Sequence, residues 1–229
     1  PRKEENAGML DPLVFLNRNE GKGLALTMVK TLKPSMTDKQ ENALLEAMNM
    51  VYDEKEAGEK RGMLDVFDIL KESSVEEIAD FGQSMYAKST DSVLSVAFSR
   101  GQHKGINTND KITVVGIKNL ELPSEGHVAE VTDVEKNGLV LLYAIGYFIK
   151  KFGSEDHTEE TLITMDELWQ FKATNAGKKI LNDIKRLGRS QNNFLLVGTQ
   201  SVEDIDSKGD DTGFGTVFAF YEEKNPDRV

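Results

Sequence analysis

Apolar residues recur at two different periods along this chain, every three to four positions in its first hundred residues and in short continuous or alternating runs after residue 111. The first period predicts amphipathic helices and the second predicts strands. Met9-Leu10-Asp11-Pro12-Leu13-Val14-Phe15 reads as a short extended opening, after which Leu24, Met28, Val29 and Leu32 keep helical spacing up to Pro34. Thr37-x-x-Gln40 is a capping box ahead of Leu44, Leu45, Met48, Val51 and Tyr52, and Ser74-x-x-Glu77 is a second ahead of Ile78, Phe81 and Met85. Leu64, Phe67 and Leu70 continue the helical period between them, so residues 34–99 are expected to form an all-helical subdomain.

The pattern changes after a Gly-, Asn- and Lys-rich connector at residues 100–110. Strands are predicted at Ile112–Ile117, Thr161–Met165, Phe194–Gly198 and Val217–Tyr221, with helices at Asn137–Phe152 and Lys172–Gln191 separating the first three. Strands alternating with helices of this length predict an α/β fold whose sheet is mainly parallel and covered on both faces. The most apolar stretch, Leu139 to Phe152, is shorter than the roughly 20 residues that span a bilayer and reads as a buried core helix.

Composition narrows this picture only a little. With 229 residues the chain is long enough for one large domain, or one domain carrying an insertion. It has no cysteine and no recognisable signal peptide, which fits a reducing compartment. A net charge of −11 means that any contact with nucleic acid must be local.

The candidate chemistry lies at the end of the second predicted strand. Thr161-Leu162-Ile163-Thr164-Met165 runs into Asp166-Glu167, the Walker B pattern of a P-loop ATPase. Such a strand delivers Asp166 to the sheet's C-terminal edge, where it can hold the water shell of Mg²⁺, and places Glu167 to polarise an attacking water. The partner motif G-x-x-x-x-G-K-[ST], whose amides and lysine cradle the phosphates of ATP, occurs nowhere in the chain. Gly21-Lys22 and Gly177-Lys178 are followed by Gly23 and Lys179, and so lack the hydroxyl that a phosphate-bound Mg²⁺ needs.

Ligands of parallel α/β sheets gather outside the carboxyl ends of the strands, where Thr199-Gln200-Ser201 ends the next run. Gln200 there reads either as a sensor of the γ-phosphate or as part of a plain polar strand exit. The helix before it carries six basic residues, Lys172, Lys178, Lys179, Lys185, Arg186 and Arg189, against the single acid Asp183. Arg186 or Arg189 suits an arginine finger that neutralises a neighbour's γ-phosphate, and equally suits a solvated face with cations near a helix C-terminus. His103, His127 and His157 have no metal-ligand spacing, and no G-x-S-x-G elbow is present. Trp169 reads as a packing residue that fixes the turn after the Walker B strand, or else as an aromatic that touches the adenine or a neighbouring subunit.

Asp166-Glu167-Leu168-Trp169, then Arg186-Leu187-Gly188-Arg189-Ser190-Gln191-Asn192, then Gly198-Thr199-Gln200-Ser201-Val202-Glu203-Asp204-Ile205 resemble the conjugation ATPases of type IV secretion systems, of the VirB-four type. Ile112 to Leu122 and Asp11-Pro12-Leu13 extend the likeness, the latter resembling the Asn-Pro-Leu segment that the family carries downstream of its P-loop. The resemblance implies a RecA-like P-loop NTPase sheet, here truncated at its N-terminus (residues 1–33 and 100–229), with residues 34–99 as an all-α insertion. It implies ATP and Mg²⁺ as cofactors, with Asp166, Glu167, Gln200, Arg186 and Arg189 at the site and Asp166 holding the metal through water. Other secretion components, a hexameric ring of identical subunits and DNA are the implied partners, at the cytoplasmic side of a membrane. Without Walker A the 229 residues alone are expected to be inactive. A DNA-pumping coupling protein or HerA/FtsK-like translocase shares the same sheet, and a P-loop-free interaction module of a secretion complex is the reading from another class.

Overall fold

The computed structural model describes residues 7–90, 93–102, 111–116, 120–123, 131–154, 158–166, 169–172, 174–190, 192–199 and 216–218. The chain divides into two compact units, Pro1–Phe152 and Gly153–Val229, and the boundaries expected at 34 and 99 both fall inside the first.

Among its described residues the regular structure of the first unit is helical. Helix α1 (Pro12–Phe15) corrects the expected extended opening: Asp11 caps it, its Oδ1 accepting from Leu13 N at 3.0 Å, and Pro12 stands at the first helical position, where no amide is needed. Helix α2 (Arg18–Leu32) is capped by Asn17, whose side chain accepts from Glu20 N. Helix α3 (Asp38–Glu56) begins with the expected capping box, both the Gln40 N to Thr37 Oγ1 and the Thr37 N to Gln40 Oε1 bonds being made. Helices α4 (Met63–Lys71) and α5 (Glu76–Ser89) follow, then a 3₁₀ turn at Leu94–Val96 and helix α6 (Asp133–Ser154).

The second capping box expected at Ser74 does not form. Helix α5 starts one residue later with Val75 as its N-cap and no side-chain cap. Glu77 is turned instead toward α3, where its carboxylate accepts from Thr37 Oγ1 at 3.0 Å and lies 3.6 Å from Lys39 Nζ. A tertiary contact thus displaced a local one. Leu24, Met28, Leu44, Met48, Val66, Phe67, Phe81 and Met85 are buried together with Phe98, whose ring lies 5.8 Å from that of Phe67.

In the second unit, strand β1 (Thr161–Met165) leads through α7 (Trp169–Lys172) and α8 (Asn175–Ser190) to β2 (Asn193–Val197). The helix expected over 172–191 is α8, which starts at Asn175 with Thr174 Oγ1 accepting from Gly177 N, and the short α7 precedes it. Strands β1 and β2 pair in parallel from Thr161↔Asn193 to Met165↔Val197, the geometry that a helical crossover requires. Ile163, Met165, Phe171, Ile180, Leu181 and Ile184 are buried. The other face of the sheet is open, with Leu162 64 %, Phe194 57 % and Leu196 53 % exposed.

Among the described residues the sheet has these two strands only. The expected strands at 112–117 and 217–221 are not seen where they are described: residues 112–116 and 216–218 join no ladder. Ile112 is 83 % and Val114 89 % exposed, so β-branched composition gave these runs strand propensity without a neighbour to pair with. The remaining positions of both runs, 117 and 219–221, lie outside the described residues.

Candidate functional site

Strand β1 carries Asp166 to its C-terminal edge, where the residue is exposed. The neighbouring strand ends alongside it, because Gly198 N donates to Met165 O at 2.8 Å, one step past the last ladder pair. A β-carbon added to Gly198 would stand 3.1 Å from Asp166 Oδ1 and 4.0 Å from Met165 O. Asp166, Gly198 and, by sequence, Thr199 are thereby gathered at one edge of the sheet. Glu167 and Gln200, the next residue of each exit, lie outside the described residues, as do His103, His127 and His157.

The two arginines are placed elsewhere. Helix α8 runs back between parallel strands, so its last turn, with Arg186 and Arg189, precedes the start of β2 at the sheet edge opposite Asp166. A five-residue strand separates the two edges by about 16 Å at roughly 3.3 Å per residue. Arg186 is exposed, as are Lys178 and Lys179 on the same helix.

Both glycine-lysine near misses sit inside helices. Gly21 is buried in α2 against the Tyr52 hydroxyl, and Lys22 Nζ donates to Asn49 Oδ1 at 2.7 Å. Gly177 lies in the first turn of α8 against the Phe171 carbonyl. Neither forms a phosphate-cradling loop.

Sequence reasoning missed the most heavily bonded carboxylate of the first unit. Asp11 is fully buried; beside its cap to Leu13, its Oδ2 accepts from Met63 N at 3.0 Å, Ser99 N at 2.8 Å and Ser99 Oγ at 3.0 Å. Burial pushes its carboxyl up to about 6 against the pull of these donors. Burial likewise raises the Tyr52 phenol, reinforced by the Asp11 charge, and lowers Lys55, whose ammonium donates to the Leu13 carbonyl. Asp11 ties three segments together and faces no open site. The Asp-Pro pair, a cap followed by a first-position proline, was the signal that could have revealed its local half.

A model of the AAA-like domain family matches residues 1–229. The chain belongs to the AAA-like domain family. This AAA-like domain is 29% identical over 226 residues to the uncharacterized protein YddE of Bacillus subtilis (strain 168), a match covering 98% of the chain and 27% of that protein. The chain thus spans about a quarter of the relative's length. No solved structure matches it.

The AAA-like family carries ATPase chemistry, with nucleotide and Mg²⁺ use in general terms. Among the described residues no group of three or more His, Cys, Asp or Glu gathers into a cage for a metal. Mg²⁺ keeps several of its waters and takes one or two carboxylates plus phosphate oxygens; the exposed Asp166 at the sheet edge carries one carboxylate. No helix among the described residues is long and apolar enough to cross a membrane.

Proposed function

We propose that residues 1–229 supply the carboxylate half of a RecA-like ATPase site in a conjugative type IV secretion motor of the VirB-four type. The observation that carries this reading is the pairing of strand ends. Strand β1 stops at Asp166, the Gly198 to Met165 bond aligns the exit of β2 beside it, and the two sequences leaving that edge are Asp-Glu and Thr-Gln. Family membership over the whole chain supports the ATPase class. The sequence holds no G-x-x-x-x-G-K-[ST] segment, so this reading takes the phosphate-binding loop from outside these residues.

Bound ATP with Mg²⁺ supplies the phosphoryl group that water attacks, through a transition state catalysed by positioning and charge neutralisation. Asp166 orients the metal's water shell. Glu167 takes the proton of the attacking water, and Gln200 holds that water and senses the γ-phosphate. Arg186 or Arg189, at the far edge of its own sheet, reaches a neighbouring subunit's site in a hexameric ring. Residues 34–99 form an inserted helical lobe, and the assembly works at the cytoplasmic side of a membrane with other secretion components, coupling turnover to pilus assembly or substrate transfer.

In protein containing this chain together with a G-x-x-x-x-G-K-[ST] segment, Glu167→Gln should leave nucleotide affinity within a factor of a few and abolish turnover, because the amide keeps the shape but cannot take a proton. Parental turnover in that variant would remove Glu167 from the mechanism.

The exposed Lys178, Lys179 and Arg186 of α8, in a chain of net charge −11, favour a second reading as a DNA-pumping coupling protein or HerA/FtsK-like translocase. Turnover stimulated by DNA, with a stimulation that falls steeply as salt rises, selects that reading over the first.

A further inference from the structure

The glycine at position 198 is unexplained by its backbone. Its φ is outside the left-handed region, where Gly8, Gly58 and Gly101 lie, so an L-residue could adopt the same conformation without strain. Its neighbours in β2 carry side chains, and a glycine at a strand end forgoes the packing and the entropy advantage that a side chain would bring. Its amide is also not the reason, since any residue but proline would donate equally well to Met165 O. What remains is space. The position that a β-carbon would take is 3.1 Å from Asp166 Oδ1, closer than such contacts normally come, so any larger residue forces the carboxylate aside by a few tenths of an ångström.

We infer that Gly198 is a positioning residue for Asp166: its missing side chain leaves the space in which the carboxylate stands beside the paired strand ends. This rests on the reading of Asp166 as the carboxylate that orients the Mg²⁺ water shell. A carboxylate acting through water on an octahedral ion tolerates little displacement, because the ion's geometry is nearly rigid and the hydrogen bonds to its waters are directional. Groups that orient a metal's ligands change metal affinity by about 10- to 100-fold when altered. Gly198, the residue after β2, would thus act on the proposed metal site without touching the ion.

Two measurements test this, one of them independent of catalysis. Thermal unfolding of residues 1–229 is compared for the parent, Gly198→Ala, Asp166→Ala and the double variant. With Asp166 trimmed, Gly198→Ala should raise the melting temperature by about 2 °C, the usual gain from replacing a glycine in an ordinary conformation, whereas with Asp166 present the gain should be absent or reversed. Equal shifts in both backgrounds would show that the carboxylate does not require the glycine, and would overturn the inference.

The second measurement is the Mg²⁺ concentration giving half-maximal ATP turnover in protein that also contains the phosphate-binding loop. Gly198→Ala should raise it roughly tenfold, while Asp166→Asn should remove turnover. Parental Mg²⁺ dependence in Gly198→Ala beside an inactive Asp166→Asn overturns the positioning role alone. Full turnover in Asp166→Asn overturns the proposed function itself.

Discussion

The two units of this chain secure their residues in opposite ways. In the first, α1, α2 and α3 are capped by Asp11, Asn17 and Thr37, the aromatic pair Phe67 and Phe98 is buried, and one buried carboxylate ties three segments together. In the second, two short strands and a crossover leave one sheet face open to solvent and place an exposed aspartate at its edge. A parallel sheet is ordinarily covered on both faces, and two strands alone are marginal in water. The difference separates the chain's stability, concentrated in buried helix contacts, from its proposed chemistry, assigned where burial is least.

The sharpest way to test that separation acts on the second unit. Mixing an Arg189→Ala or Arg186→Ala protein with a Glu167→Gln protein should restore ATP turnover in mixed rings. Each arginine variant alone should lose about 10³- to 10⁵-fold if it is the finger, far beyond what an exposed ion pair gives. If both arginine variants turn over ATP at the parental rate, the basic helix is a solvated face and the second unit holds less of the chemistry than proposed.

Next in size is a matched pair of phenylalanines. Phe67→Ala removes a fully buried ring and should destabilise the first unit by about 3–5 kcal/mol in urea unfolding. Phe194→Thr changes a ring that is 57 % exposed on the open sheet face and should move stability by no more than about 0.5 kcal/mol. Comparable losses at the two positions would mean that the open face is covered in solution, and the contrast between the units would collapse.

The smallest effect is a pH dependence. Asp11 titrates at about 6 in the folded chain against 3.8 for an ordinary aspartate, so its contribution to stability is fully present below 3.8 and is lost as pH rises through 6. Unfolding free energies of the parent and Asp11→Asn, compared between pH 7.5 and 5, should diverge in the parent's favour as pH falls, by about 1.4 kcal/mol. A difference that stays flat across that range would show that the four hydrogen bonds hold the carboxyl at its ordinary value.

How much of this was legible in sequence follows from the range of the interactions involved. The Thr37 box and strand β1 were readable because their determinants are neighbours: Thr37 meets Gln40, and Thr161 to Met165 form one uninterrupted apolar-rich run. The Ser74 box failed because Glu77 found Thr37, forty positions away, a contact no local pattern encodes. The runs at 112–117 and 217–221 have strand composition, but composition cannot state whether a partner is present. At the site, Asp166 was plain as the end of an apolar strand, whereas Gly198 became meaningful only once the register put it under that carboxylate.

The Asp11 cluster also bears on the order in which the chain folds. Its bonds to Met63 and Ser99 span 52 and 88 positions, and closing loops of that length carries an entropic penalty that helix formation does not. Helices α2 to α5 can form and pack from contacts close in sequence before the opening segment is fastened, so the cluster belongs on the native side of the folding barrier. Asp11→Asn should therefore accelerate unfolding while leaving the folding rate nearly unchanged, which stopped-flow unfolding and refolding would check. Asp11 would then be a late clasp, setting how long the helical unit stays folded rather than how quickly it gets there.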